Sequence, residues 1–190
     1  MYVLNSKRIM NKIGLFYGSD TGCTDDVTKD FIGLWGEEEL DVSEIGYTKK
    51  SEFEAYDILI LGLSTWYDGD LQSDWEDFFD DFKTIDFTGK IVAIYGLGDQ
   101  IGYSEYFIDG VGILAKEILK NGGKIIGHWP NEDYRFTDSV AIIPENESHF
   151  YGLALDNDNE SQLTDDRLET WISQVKVELK EALAISSTSV

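Results

Sequence analysis

The sequence predicts an α/β fold: a single doubly wound five-stranded parallel sheet with helices on both faces. Three observations carry this. The strongest apolar runs are short and continuous rather than alternating, so both faces of each strand are covered. Segments with helical periodicity separate these runs, as parallel neighbours require. The chain has 190 residues, about the length of one domain.

Ile13-Gly14-Leu15-Phe16-Tyr17 is the first strand. From Asp26 to Trp35, Val27, Phe31, Ile32 and Leu34 recur at helical spacing. Leu40 to Ile45 is a shorter, weaker strand, and Ile58 to Gly62 is fully apolar. Leu71 to Phe82 reads as a helix, with Trp75, Phe78, Phe79 and Phe82 at i, i+3, i+4 and i+7. Ile91 to Tyr95 is the next strand; Val111 to Leu119 is a helix that Gly122-Gly123 ends. Lys124 to Trp129 and Tyr151 to Leu155 both read as strand. About twenty residues between Pro130 and Phe150 interrupt the rhythm, which places a long insertion in the fifth strand. Asp165 to Ala184 is the last helix, with Thr164 as N-cap and Asp165 and Asp166 complementing its dipole. The domain is therefore expected over 12–184. Residues 1–11 read as a leader, disordered or non-native, with Met10 as an alternative start, and 185–190 as a tail.

Fifteen basic and 37 acidic residues give a net charge of −22. Hydrophobic residues make up 42% of the chain, enough for a real core, so the acidity does not signal disorder. Such a surface repels phosphate backbones and anionic headgroups, which argues against nucleic acid and membrane partners and favours a basic protein or a cation. The single cysteine, Cys23, excludes an internal disulfide, a CxxC motif and a multi-cysteine metal site, and it fits a cytoplasmic location. No apolar run reaches the roughly 20 residues of a membrane span, and no apolar stretch follows Lys7 and Arg8 as in a signal peptide.

In an open α/β sheet, ligands bind beyond the carboxyl ends of the strands. Three loops there carry chemistry. Gly18-Ser19-Asp20-Thr21-Gly22-Cys23-Thr24 holds three hydroxyls and two glycines and opens into a helix. Unpaired N–H groups and partial positive charge make it a phosphate nest without a cation. It is neither a Walker A loop nor a GxGxxG fingerprint. Ser64-Thr65-Trp66-Tyr67-Asp68-Gly69-Asp70 sets two large aromatics in a polar loop, where Trp66 is either a core residue swung inward or a flat wall for a flat ligand. Gly96-Leu97-Gly98-Asp99-Gln100-Ile101-Gly102-Tyr103 lets the backbone approach a ligand closely and adds a second aromatic plate. Together they describe a site for a planar heterocycle with a phosphate tail.

These three motifs, with Tyr151-Gly152-Leu153-Ala154-Leu155-Asp156 and Leu163-Thr164-Asp165-Asp166-Arg167, resemble a flavodoxin of the long-chain type, from about Lys12 to Leu183. The resemblance, not the residue pattern, implies the strand order 2-1-3-4-5 and a noncovalent FMN. Its site then covers Ser19, Asp20, Thr21, Gly22, Cys23 and Thr24; Ser64, Thr65, Trp66, Tyr67, Asp68 and Gly69; and Leu97, Gly98, Asp99 and Tyr103. Hydroxyls of Ser19, Thr21 and Thr24 and the loop amides would hold the phosphate. Trp66 and Tyr103 would cover the two sides of the ring. Leu97, Gly98 and Asp99 would line its pyrimidine edge, and the Tyr67–Asp68 peptide would sit by N5. The Tyr67 carbonyl of this family accepts N5–H when the semiquinone forms, which separates the two reduction steps. Ser64 stands where the family usually has Pro, Cys23 at a variable position, and Asp68 is expected to point outward.

The resemblance implies a low-potential one-electron carrier cycling between semiquinone and hydroquinone, not a turnover enzyme. Its expected partners are basic redox proteins, such as a flavodoxin/ferredoxin-NADP reductase using NADPH, and electron-accepting enzymes; a monomer is expected. Between Ser64 and Asp86 lie eight acids (Asp68, Asp70, Asp74, Glu76, Asp77, Asp80, Asp81, Asp86) against one base, Lys83. At about 12 Å and an effective dielectric of about 40, each costs an anionic hydroquinone roughly 0.7 kcal/mol, about 30 mV. The alternative is an FMN-dependent NAD(P)H:quinone-type reductase on the same fold, which usually needs a His or Tyr near the flavin. His128 and His149 fall outside the three loops and read as structural or solvated. A phosphoacceptor receiver lacks its acidic cluster here. A calcium loop at Asp156-Asn157-Asp158-Asn159-Glu160 lacks the required glycine and final glutamate.

Overall fold

The computed structural model describes residues 13–188 and begins with β1 (Ile13–Tyr17), buried along its whole length. Helix α1 (Cys23–Trp35) leads to β2 (Leu40–Glu44). A 3-10 turn (Ile45–Tyr47) and the short α2 (Lys50–Glu54) precede β3 (Ile58–Trp66). Then come β4 (Asp70–Leu71), α3 (Ser73–Phe82), β5 (Ile91–Leu97) and α4 (Asp109–Lys120). The chain continues through β6 (Lys124–Ile126), β7 (Trp129–Pro130), β8 (Ile142–Ile143), β9 (Asn146–Phe150) and β10 (Leu153–Leu155) to α5 (Thr164–Thr188).

The main sheet runs β2-β1-β3-β5, with β6 and β10 both paired in parallel to β5. β6 covers Ile91–Ala93 and β10 covers Tyr95–Leu97, so two short pieces fill the fifth position. This is the expected order, with the insertion splitting the last strand. The strands' pleat explains the two faces. Leu59, Leu61 and Leu63 join Trp75, Phe82, Val111 and Leu114 in one core, against α3 and α4. Ile58, Ile60 and Tyr95 join Phe31, Trp35 and Trp171 in the other, against α1 and α5.

The insertion has structure of its own: an antiparallel sheet ordered β7-β9-β8. The chain leaves the main sheet at Gly127, whose φ of +76° suits glycine. Trp171 marks the exit, its Nε1 donating to the Gly127 carbonyl at 2.7 Å. Tyr134 and Phe136 then pack on Phe107 and Phe150, with ring centroids 5.2 to 5.8 Å apart.

Several expected boundaries move. α1 starts at Cys23, three residues early, because Gly22 adopts a left-handed cap (φ 94°) that turns the chain directly into the helix. Leu71 belongs to β4, not to a helix, and Ser64, Thr65 and Trp66 extend β3 rather than forming a loop. Trp129 lies in β7, beyond the Gly127 break. Thr164 is helical rather than the N-cap, and its hydroxyl donates to Asn157 Oδ1 at 2.6 Å. α2 was not foreseen, and α5 continues past Ala184 through Thr188, into the stretch read as a tail. The leader read over 1–11 lies outside the described residues, as do 189–190. Among the described residues no helix is long and apolar enough to cross a membrane.

Candidate cofactor-binding site

β1, β3 and β5 are adjacent and parallel, so their carboxyl ends open on one edge. β2 and β3 flank β1 on opposite sides, which makes the β1/β3 boundary the switch point where ligands bind.

The first loop leaves β1 at Gly18, whose amide donates to the Gly62 carbonyl of β3 at 3.1 Å. Ser19 Oγ accepts the Gly22 amide at 3.1 Å and closes the turn. No side chain caps α1. The amides of Cys23, Thr24 and Asp25 precede the first intrahelical bond, Asp26 N–H to the Gly22 carbonyl at 2.9 Å, and no side chain caps them. Unpaired amides at a helix start are the donor set that a phosphate tail needs. Asp25 and Asp26, which also sit in that turn, pair with Lys29 at 2.7 and 3.1 Å. Thr24 is buried, Ser19 and Gly22 half-buried, and Asp20, Thr21 and Cys23 exposed.

The second loop is the tip of a β3–β4 hairpin, with Thr65 facing Leu71 and Trp66 facing Asp70. The Gly69 amide donates to the Trp66 carbonyl at 3.1 Å. Gly69 takes φ +96°, and Tyr67, a side-chain-bearing residue, takes φ +43°. Such strain marks functional turns. Trp66 belongs to neither core, which decides between its two readings: it walls a cleft. Its Nε1 donates to Ser64 Oγ at 3.0 Å, a role proline could not fill. Tyr67 stands 63% exposed with its ring 6.0 Å from that of Trp66. Thr65 Oγ1 accepts the Gly110 amide of α4 at 3.0 Å, and Asp68 is exposed.

The cleft measures about 370 Å³ and is lined by Asp20, Trp66, Tyr67, Asp70, Leu71, Ser73 and Glu76. The structure thus joins one end of the first loop to the second. Asp70 closes the second loop, and three more lining residues, Leu71, Ser73 and Glu76, lie just past it, where the sequence marks only the acid-rich start of α3.

The third loop is adjacent through the sheet, Leu97 facing Ser64, but Leu97, Gly98, Asp99 and Tyr103 do not line this cleft. Leu97 is buried in β5. Gly98 donates its amide to the Leu155 carbonyl at 3.0 Å. Burial pushes the Asp99 carboxyl up, but the Gly102 amide, Asn159 and the Ile101 amide together hold it below the usual range. Tyr103 is 45% exposed. The insertion grips this loop: Arg135 N–H donates to Gln100 Oε1 at 2.6 Å and Thr137 N–H to the Ser104 carbonyl at 2.7 Å. Neither histidine of the chain lines the cleft; His128 contacts Tyr151 edge-on and His149 pairs with Ser148.

The flavodoxin family model matches residues 15–171. The flavodoxin of Klebsiella pneumoniae is 45% identical over 167 residues, 88% of this chain and 94% of its own length. The chain belongs to the flavodoxin family. The flavodoxin of a Nostoc species is 43% identical over 167 residues, 88% of this chain and 96% of its own. The Fusobacterium nucleatum flavodoxin, solved bound to flavin mononucleotide, superposes with a TM-score of 0.82 at 30% identity. That match covers 88% of this chain and 98% of that one. Within this family's fold, the residues at the sheet edge form an anion nest beside an aromatic wall.

Proposed function

We propose that this chain carries single electrons between proteins on a noncovalently bound FMN. The observation that carries the reading is the uncapped N-terminus of α1 beside the Trp66-walled cleft, at the sheet's switch point. The α1 amides with Ser19, Thr21 and Thr24 hold the phosphate, and Trp66 shields one face of the ring. Tyr103, on the loop that the insertion braces, covers the other face. Bound FMN supplies one-electron chemistry, cycling between semiquinone and hydroquinone at low potential.

The chain's own contribution is electrostatic and steric. Of the eight acids over Ser64–Asp86, seven are exposed and Asp74 is half-buried, and Asp70 and Glu76 among them line the cleft and make its rim negative. That rim disfavours an added negative charge in the site and steers a basic partner to it. The partners are therefore basic redox proteins, a reductase on one side and electron-accepting enzymes on the other. The test is fluorescence titration of the apoprotein with FMN, followed by rapid mixing of the loaded protein with NADPH alone. A carrier quenches FMN at one equivalent and is not reduced at catalytic rates without a partner. Rapid reduction by NADPH alone supports the quinone-reductase alternative.

A further inference from the structure

A carboxylate in a phosphate-binding loop is an odd ligand. It repels a phosphate dianion and has no proton to offer it. The structure gives Asp20 different partners. Its Oδ1 accepts from Gln72 Nε2 at 2.9 Å and from Ser73 Oγ, and its Oδ2 accepts the Ser73 backbone N–H at 3.4 Å. These donors sit at the start of α3, whose positive end favours a carboxylate. Burial raises the carboxyl's pKa, but the Ser73 and Gln72 hydrogen bonds more than offset it, leaving Asp20 below its usual range and charged at neutral pH.

The receiving side is rigid. Gln72 is fully buried. Its Nε2 also donates to Asp74 Oδ2 at 2.9 Å, and its Oε1 accepts the Trp75 amide at 3.3 Å. Swinging it away would strand buried polar atoms. Gly18 packs flat beneath it: a Cβ there would meet Gln72 Oε1 at 1.9 Å. Trp75, also fully buried, donates Nε1 to the Gly62 carbonyl at 3.0 Å. One carboxylate therefore ties the β1–α1 loop to the start of α3, directly after the hairpin that carries Trp66. Asp20, Ser73 and Trp66 all line the same cleft.

We propose that Asp20 is a positioning residue, clasping the phosphate loop to the start of α3 through Ser73 and Gln72 and so holding the Trp66 wall in register for the flavin ring. The proposal rests on the FMN reading above.

Dissociation constants of the full chain for FMN, riboflavin and inorganic phosphate test it. Riboflavin has the ring without the phosphate. Asp20→Ala and Ser73→Ala should each weaken riboflavin about tenfold. The double variant should lose little more than the weaker single one, since both break one clasp. Ser73→Thr, which keeps the hydroxyl, should restore binding. Phosphate should bind Asp20→Ala as well as the unsubstituted chain, or better, because a like charge is gone. Unchanged or tighter riboflavin binding by Asp20→Ala, fully additive losses, or a loss confined to phosphate each overturn the clasp. Failure of the unsubstituted chain to bind FMN overturns the cofactor reading instead, and the clasp with it.

Discussion

Asp70 and Glu76 are exposed and line the cleft, and Asp80 lies on the same helix, α3, without lining it. Replacing the first two with Asn and Gln tests the electrostatic role directly. For a charge in this cleft of about 370 Å³, a separation of roughly 8 Å from a wall carboxylate sets the scale. With an effective dielectric of about 40, that pair repels by about 1 kcal/mol, or about 45 mV for one electron. Salt screening over a Debye length of about 8 Å lowers this to about 15 mV for a fully exposed charge. Asp70→Asn with Glu76→Gln should therefore raise the potential for forming the anionic reduced state by about 30 to 90 mV. The shift should shrink with added salt. Asp80 does not line the cleft and is exposed to solvent, so screening should make the Asp80→Asn shift smaller than the double variant's. Spectroelectrochemical titration of the three FMN-loaded proteins measures this. A fall in potential, or an Asp80→Asn shift as large as the double variant's, would mean that the cleft carboxylates do not set the potential.

Three further outcomes follow from packing and protonation. A Cβ at Gly112 would meet the Val140 carbonyl oxygen at 2.3 Å and the Ala141 nitrogen at 2.6 Å, so Gly112→Ala forces the insertion's backbone off α4. Urea unfolding should show a loss of about 1–3 kcal/mol, and an unchanged midpoint would mean the insertion does not pack there. Tyr17 is shifted upward, to about 12, by burial first and then by its hydrogen bond to Asp25. A folded-state pKa above the unfolded value adds stability that is complete below pH 10 and lost as pH rises towards 12. Tyr17→Phe should flatten the alkaline part of the stability–pH curve. Asp20 and Asp99 shift the other way, so their stabilisation is present above the ordinary carboxylate range and disappears as pH falls through their lowered values. Asp99→Asn should therefore flatten the acid limb of the same curve.

The strands and the sheet edge were readable because burial on both faces leaves a continuous apolar run such as Ile58–Gly62, which few other structures produce. The phosphate loop was readable for a similar reason: clustered hydroxyls and glycines before a helix have a physical use. What escaped was set by tertiary contact. Ser64 to Trp66 look like loop residues, yet β5 and β4 extend the ladder through them. Gly22 gave no sign that α1 would start three residues early, since a glycine cap carries no side chain to read. Three cleft residues, Asp70, Ser73 and Glu76, are ordinary polar surface types. Only folding brings them to Asp20 and Trp66. Asp20 was assigned to the cofactor by its loop, while its hydrogen bonds run to a helix more than fifty residues away.

If this sheet edge makes a bound flavin a one-electron carrier, reduction passes through a half-reduced state. Stepwise reduction of the FMN-loaded chain, followed by visible absorbance, tests it most directly. Two separated one-electron steps are expected, with a long-wavelength band that rises at half reduction and fades as the second electron enters. A single two-electron bleaching with no intermediate band would contradict it.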